Sequence, residues 1–151
     1  MSFFNSKLRY ALCAAVDLAM QSPTEACQSR EIAGRQEIPG PYLDQILAAL
    51  KSAGLIRSIR GAGGGYNLAR SPERITVGDV AQAMMRGDRL FSSHGETEPD
   101  NINAPGAAWV VREYEERIEA LLTQQLAGTT LADLMHRKQN LDDSLSIMPS
   151  I

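Results

Sequence analysis

The sequence is poor in the residues from which most catalytic and metal sites are built. Its 151 residues include two cysteines, two histidines and only 5% aromatic residues. Cys13 and Cys27 have neither the spacing of a zinc site nor the density of a disulfide scaffold, so we expect two reduced thiols. With His94 and His136 as the only histidines, no Ser/His/Asp, Cys/His or paired-carboxylate arrangement is discernible, which argues against an enzyme.

Long hydrophobic runs are absent as well. No apolar stretch approaches the ~20 residues of a membrane-spanning helix, and residues 1–5 lack the basic and apolar regions of a signal peptide. We therefore expect a cytoplasmic protein with no membrane partner. The hydrophobic content of 44% suffices for one core, which suggests a small domain with a helical appendage.

The net charge of −3 is unevenly distributed along the chain. Residues 1–75 carry nine Lys/Arg against six Asp/Glu, a net charge of +3, and residues 76–151 carry six against twelve, a net charge of −6. Attraction to phosphate is local, because salt screens it over about 10 Å. The basic half therefore permits a nucleic-acid partner, although the asymmetry does not establish one.

Apolar residues recur at helical spacing in the N-terminal half and predict helices over residues 7–20, 29–36 and 41–53. Ser6 is the predicted N-cap of the first helix. Pro41 opens the third helix, where its missing N–H costs nothing, and Gly54 ends it. The second and third helices are joined by a four-residue turn, which favours a helix-turn-helix.

The residues after the third helix predict a β-hairpin. Leu55–Ile59 alternates at period two, a glycine-rich turn with Arg60 follows, and Tyr66–Leu68 runs back. Directly behind a helix-turn-helix, such a hairpin is a wing. Thr76 is the predicted cap of a fourth helix. This helix completes a winged helix-turn-helix domain over residues 1–85, the predicted DNA-binding domain, which we call the reader. The predicted fold class is mainly α with a small β-hairpin wing.

The C-terminal half is predicted to mediate dimerisation and not to contact DNA. Residues 86–105 have no periodic pattern and form a long, sensor-type loop. Dimerisation helices are predicted over 106–138 and a flexible tail over 139–151. The long helix has an apolar face without a partner in the chain, and pairing with a second copy is the simplest way to cover it. The predicted dimer residues are Val110, Val111, Tyr114, Ile118, Leu121 and Leu122.

The third helix presents a second face opposite its apolar stripe. In a major groove, Gln45 can hydrogen-bond a base edge, Asp44 can accept from a cytosine amino group, and Ala48 can touch a thymine methyl. The alternative is that these residues are only a solvated face. In the wing, arginines can reach a groove and glycines let backbone N–H groups approach phosphate. The predicted contacts to double-stranded DNA are Lys7, Tyr42, Asp44, Gln45, Ala48, Arg57, Ser58, Arg60, Gly61, Gly63 and Gly64.

Five segments together resemble the Rrf2 family of bacterial winged-helix transcription regulators. They are KLRYAL from Lys7, SREIAGRQ from Ser29, YLDQIL from Tyr42, KSAGLIRSIRGAGGGY from Lys51 and ITVGDV from Ile75. A Tyr-Leu-x-Gln helix followed by an Arg-Gly-x-x-Gly-Gly-Tyr wing is a specific combination. The resemblance covers about residues 6–135 and implies a homodimer that regulates transcription from an inverted-repeat operator.

The resemblance also bears on individual residues. It implies that Tyr42, Asp44, Gln45 and Arg60 contact DNA. Asp44 replaces a more usual glutamate, and prolines 39 and 41 stand where the family's serines often contact phosphate. These departures leave the operator sequence open, along with the target genes, the sign of regulation and the effector.

Members of this family commonly hold an iron-sulfur cluster through three cysteines in the loop before the dimer helix. Residues 86–105 contain no cysteine, so a three-thiolate site from this loop is chemically impossible. We therefore predict no cofactor and no metal site, and we expect His94 to be a solvated loop histidine. The alternative is an iron-sulfur or thiol-based redox sensor that uses Cys13 or Cys27. In the iron-sulfur case, the cysteine would share the cluster with the loop of another subunit.

Two further function classes stay open at the level of sequence. Winged helices also serve as protein-interaction modules, and such a module would not retain DNA. The turn at Gly61–Gly65 is similar to a nucleotide phosphate cradle, but no Lys-Ser/Thr follows it and it opens a strand instead of a helix. A DNA-binding regulator is the function that the sequence favours.

Overall fold

The computed structural model describes residues 4–85 and 106–147. Its elements, in chain order, are α1 Ser6–Met20, α2 Ser29–Gln36, α3 Gly40–Ser52, β1 Ile56–Ile59, β2 Gly65–Leu68, a 3₁₀ turn Pro72–Arg74, α4 Val77–Met85, α5 Ala107–Gly128 and α6 Leu131–Ile147. The mainly α class with a two-stranded hairpin is confirmed. The predicted sensor-type loop, His94 included, lies outside the described residues, as does the end of the chain from residue 148.

The core of the reader lies between α1 and the other elements of the N-terminal half. α1 packs against α2, α3, α4, α6 and β2. The largest fully buried side chains are Ile32, Leu43, Ile46, Leu47, Leu50, Ile75, Val80 and Leu131. Four of these come from α3, so the apolar stripe predicted for the third helix is confirmed. Each such side chain stabilises the fold by roughly 1.5–3 kcal/mol through burial.

The ends of α1 and α3 are fixed by local hydrogen bonds. Asn5 Oδ1 accepts from Leu8 N at 2.8 Å, so Asn5 is the N-cap and the prediction of Ser6 is wrong. Ser6 already has helical geometry, and a capping side chain must come from the extended residue before it. α3 ends in a Schellman motif: Leu55 N donates to Leu50 O, Gly54 N donates to Lys51 O, both at 3.0 Å, and Gly54 has φ 74°.

The hairpin is extended on one side by a segment outside its two strands. Ile56 pairs with Leu68 and Ile59 with Gly65, in the predicted antiparallel order. On the other side of β2, Cys27 and Tyr66 exchange two backbone hydrogen bonds, each of 2.8 Å. The segment between α1 and α2 therefore adds a single bridge to the sheet and ties the wing to the helix-turn-helix.

The junction between α5 and α6 is attached to the start of α4. Val77 N donates to Thr129 O and Leu131 N to Ile75 O, each at 2.8 Å. Both helix starts carry a capping box, because Thr76 and Thr130 exchange hydrogen bonds with the aspartates three residues later. The predicted cap at Thr76 is thus confirmed, and the long helix departs from a fixed point on the reader.

The last helix is longer than predicted. α6 continues to Ile147, so the expected end of the helices near residue 138 is wrong. No residue from 139 to 147 is buried within the chain, and the large apolar side chains there, Leu141, Leu145 and Ile147, are all exposed. Local bonds support it instead, including Lys138 Nζ to Asp142 Oδ2 at 2.6 Å and Ser144 Oγ to Asn140 O at 2.8 Å.

Candidate nucleic-acid interface

The outward face of α3 is polar and accessible. Asp44, Gln45 and Ala48 are exposed, on the side of the helix opposite the buried leucines and isoleucine. The side chains of Asp44 and Gln45 have no hydrogen bond or ion pair with another described residue. Their donors and acceptors are therefore available to a ligand.

Tyr42 lies at the leading end of the same helix and is held from the side. Its ring meets that of Tyr10 of α1 edge to face, with centroids 5.6 Å apart and an interplanar angle of 79°. Both rings are half-buried against the core. An edge-to-face pair adds about 0.5–1.5 kcal/mol beyond area burial, so the ring has a defined orientation. Lys7, half-buried in the first turn of α1, has no hydrogen bond or ion pair with the described part of the chain.

The wing exposes its charged and small residues. Arg57, Ser58 and Arg60 are exposed, and so are Gly61 and Gly63 at the tip. Only residues 53–55 separate α3 from β1. The structure therefore brings the predicted residues of α3 and of the wing into one compact unit.

The glycines of the wing divide into two kinds. A Cβ on Gly64 would collide with the backbone oxygen of Ile59 and lie 2.8 Å from Gly61 O, so the turn itself requires glycine at this position. A Cβ on Gly63 would meet nothing within 4 Å. The chain has no steric need of its own for glycine at 63, which leaves that position open to close approach from outside.

Arg57 has a partner that sequence reasoning missed. Its Nε donates to Asn67 Oδ1 at 2.8 Å across the strand pair, and Asn67 Nδ2 donates to Pro23 O at 3.3 Å. Asn67 is buried, with 4% of its surface exposed. The signal available in the sequence was the hairpin register, which sets the two residues opposite each other.

A second cluster that the sequence did not reveal joins α1 to α2. Asp17 is buried and accepts hydrogen bonds from Arg35 Nε at 2.9 Å, Arg35 Nη2 at 2.8 Å and Gln36 Nε2 at 2.9 Å. The bidentate bond raises the pKa of Arg35 above its usual range. Arg35 Nη2 also donates to Cys27 Sγ at 2.8 Å. Residues 17 and 35 are 18 apart in the chain, so no local pattern could have paired them.

Both thiols are poor nucleophiles by their surroundings. Burial raises the pKa of Cys27, and it does so despite the opposing hydrogen bond from Arg35. Burial likewise raises the pKa of Cys13, against the smaller effect of Arg9. A raised pKa lowers the thiolate fraction at neutral pH and with it the reactivity of the sulfur.

The apolar face of α5 is uncovered in the single chain. Exposed fractions are 58% for Val110, 54% for Val111, 61% for Tyr114, 37% for Ile118 and 56% for Leu121. Leu122 is half-buried, and Leu126 near the end of the helix is buried close to Gly78 of α4. An exposed apolar surface of this kind marks an interaction site in a soluble protein.

Comparison with known proteins decides the family. The Rrf2 profile, described as an iron-dependent transcriptional regulator, matches residues 4–137. The chain belongs to the Rrf2 family. It is 34% identical over 141 residues to the HTH-type transcriptional regulator IscR of Klebsiella pneumoniae, covering 92% of this chain and 83% of that protein. It is therefore a transcriptional regulator of the Rrf2 type with a helix-turn-helix of the DNA-binding kind.

Solved structures of Rrf2 regulators share the fold. CymR, the global cysteine regulator of B. subtilis, matches with a TM-score of 0.72 and 31% identity, covering 91% of this chain and 98% of that one. IscR of T. potens matches with a TM-score of 0.70 and 29% identity, covering 99% and 94%. The resemblance seen in the sequence motifs is thereby confirmed.

The family description implies iron, but the donor set of this Rrf2 chain does not fit a loop-ligated cluster. Cys13 and Cys27 are the only cysteines in the sequence, and neither lies in the loop. Across residues 4–85 and 106–147, no three or more His, Cys, Asp or Glu side chains are arranged to hold a metal ion. In the same ranges no helix is long and apolar enough to cross a membrane.

Proposed function

We propose that the chain is a homodimeric, sequence-specific regulator that binds an inverted repeat in double-stranded DNA through α3 and the wing. The observation that carries the proposal is the short, hydrogen-bonded link between α3 and β1. It sets the accessible face with Asp44 and Gln45 directly beside the arginine-bearing hairpin in the chain, with backbone hydrogen bonds across the link. A helix in the major groove and a wing on the adjacent backbone need this coupling, because their contacts must be made together.

The two surfaces supply different kinds of contact. Gln45 and Asp44 can read base edges by hydrogen bonding, and Ala48 offers a methyl contact. Arg57, Arg60 and the backbone around Gly63 supply positive charge and N–H groups for phosphate or for a narrow minor groove. Affinity would therefore come mainly from the wing and sequence preference mainly from α3.

The homodimer part of the proposal is supported by the uncovered face of α5. Pairing two copies about a two-fold axis buries Tyr114, Ile118 and Leu121 against each other. Because the α5–α6 junction is hydrogen-bonded to the start of α4, such a dimer would hold its two readers at a set spacing. A two-fold protein reads a two-fold site, which gives the inverted repeat.

The direct test is selection of bound fragments from sheared genomic DNA, followed by titration of a labelled duplex that carries the recovered sequence. We expect an inverted repeat, weaker binding to a half-site duplex, and an affinity that falls steeply as salt rises. Failure to retain any fragment above a scrambled duplex, or binding insensitive to salt, would contradict the proposal and favour a protein-interaction module.

Arg60 gives the proposal a single-residue test. Arg60→Ala removes a guanidinium from an exposed wing position and should weaken operator binding by about 1–3 kcal/mol, with the melting temperature nearly unchanged. Arg137→Ala, which removes the same side chain from an exposed position on α6, is the matched control and should bind as the wild type does. Unaltered affinity in Arg60→Ala would remove Arg60 from the interface.

A further inference from the structure

The two strands of the wing carry a polar pair that differs from an ordinary surface contact. Arg57 of β1 is exposed, whereas Asn67, its partner in the register of β2, is 4% exposed. The bond between Arg57 Nε and Asn67 Oδ1 measures 2.8 Å. The guanidinium of an exposed arginine is thus held through Nε by a buried side chain.

The orientation of the Asn67 amide is determined by its other neighbour. Asn67 Nδ2 donates to Pro23 O at 3.3 Å, and a carbonyl oxygen can only accept. Turning the amide over would set its oxygen against the oxygen of Pro23 and its nitrogen against the Nε donor of Arg57. Asn67 therefore presents an acceptor to Arg57 in a single arrangement, braced by the loop between α1 and α2.

The bond at Nε leaves the rest of the guanidinium available. An arginine has five N–H donors, and this contact uses one of them. The Arg57 side chain makes no other hydrogen bond or ion pair with residues in the described ranges. Its two terminal nitrogens thus keep all their donors, on an exposed residue whose last side-chain rotations the bond at Nε restricts.

We propose that Asn67 is a positioning residue for DNA binding, which fixes the Arg57 guanidinium so that its terminal nitrogens meet an acceptor on the duplex. The inference rests on the proposed function. Restricting a long side chain before binding reduces the conformational entropy lost in the complex, so a buried residue that does not touch DNA contributes to affinity. The acceptor is a phosphate oxygen or a base edge, and the test below distinguishes the two.

The test is a double-mutant cycle on the recovered operator duplex. We expect Asn67→Ala to weaken binding roughly fivefold in the wild-type background and to have no further effect in an Arg57→Ala background. In an Arg60→Ala background, the matched control, Asn67→Ala should still cause its full loss. An equal loss in the Arg57→Ala background would show that Asn67 acts through the fold of the wing and would overturn the proposal.

A second measurement needs no variant at Asn67. In the free wild-type protein, ¹⁵N relaxation should report the Nε–H of Arg57 as more ordered than that of Arg60, which has no comparable bond to any described residue. Equal mobility of the two would overturn the proposal even if Asn67→Ala proved unfolded.

The Arg57→Ala variant distinguishes the two possible acceptors. It should lower the slope of log affinity against log salt concentration by about one if the acceptor is phosphate, and relax the preference at one base pair if the acceptor is a base edge.

The proposal and the proposed function fail in distinguishable ways. If the wild-type protein retains no DNA, the proposed function fails. If the wild type binds and Arg60→Ala weakens binding while Arg57→Ala is neutral, the regulator assignment stands and only the role of Asn67 is lost.

Discussion

Asp17 and Asp142 are both carboxylates bonded to a basic side chain, but their burial separates their contributions. Asp17 is 3% exposed and has three donors from α2, whereas the Asp142 side chain is 52% exposed and meets Lys138 one helical turn away. Removing Asp17 breaks three hydrogen bonds between α1 and α2, although Arg35, whose side chain is 42% exposed, can then bond to water. The exposed pair on α6 only exchanges its bond for water. Stability should therefore depend on the first residue and hardly on the second.

We predict that Asp17→Ala lowers the free energy of unfolding by about 1–3 kcal/mol. Asp142→Ala, the matched control, should lower it by less than about 0.5 kcal/mol. Urea unfolding followed by circular dichroism measures both, at one fixed protein concentration because an oligomer's stability depends on it. Similar losses for the two variants would mean that the Asp17 cluster does not brace α1 against α2.

Gly63 and Gly64 of the wing allow a prediction in which stability and DNA binding change separately. Gly63→Ala places its Cβ in open space and should leave unfolding within about 0.5 kcal/mol of the wild type, while weakening operator binding roughly fivefold where backbone meets DNA. Gly64→Ala forces its Cβ against the backbone of the turn and should destabilise the fold by about 1–3 kcal/mol. Thermal melts and operator titrations of both variants check this. Full affinity in Gly63→Ala would remove this position from the interface.

At the scale of elements, the sequence predicted the features that depend on neighbouring residues or on a hydrophobic period. The stripe of α3, the glycine turn of the wing and the Thr76 cap each follow from a few neighbouring residues, and all are present. The distal part of α6 was not predicted because its few apolar residues, Leu141, Leu145 and Ile147, are outnumbered by polar ones and are exposed in the described chain.

The interface was foretold less completely than the fold. Exposed residues such as Gln45 and Arg60 follow from the helical face and the hairpin tip. Asn67 and the Asp17–Arg35 pair depend on which surfaces meet after folding, and single-sequence patterns carry no such information. The hydrogen bonds that Asn67 makes to Arg57 and Pro23 thus became visible only with the strand register and the loop at Pro23 in place.

The exposed apolar face of α5 can be tested by introducing a charge. Ile118→Glu places a charge in the middle of the apolar face and should yield monomers, since an unpaired carboxylate is costly to bury. Leu122→Glu should act similarly, and both variants should bind the full operator poorly because each half-site is then held alone. Thr123→Glu, which adds the same charge on the opposite side of α5, is the control. Light scattering that reports a dimer for Ile118→Glu and Leu122→Glu would place the interface elsewhere.

At the scale of the whole molecule, charge and function divide along the chain in the same way. Residues 1–75, with a net charge of +3, contain α3 and the wing, and residues 76–151, with −6, contain the long helices. Phosphate attracts the first part and repels the second, so the acidic helices disfavour docking of DNA against them. Charge thus favours the orientation in which the reader faces the duplex.

Any redox sensing through cysteine would have to use Cys13 or Cys27, because the sequence has no other cysteine. Burial raises the pKa of both thiols, so each should react with iodoacetamide more slowly than free cysteine at pH 7 and faster as the pH rises toward the thiol pKa.

We predict that the Cys13→Ser, Cys27→Ser double variant binds the operator as the wild type does under reducing and oxidising conditions. The hydroxyl introduced at position 27 keeps an acceptor for Arg35, and no thiolate set exists for a conventional cluster. Operator titrations, with iron, sulfide and visible absorption assays on anaerobically purified protein, check this. Stoichiometric iron and sulfide with a visible band in the wild type, abolished in the double variant, would contradict the prediction and make the dimer a cluster-bearing sensor.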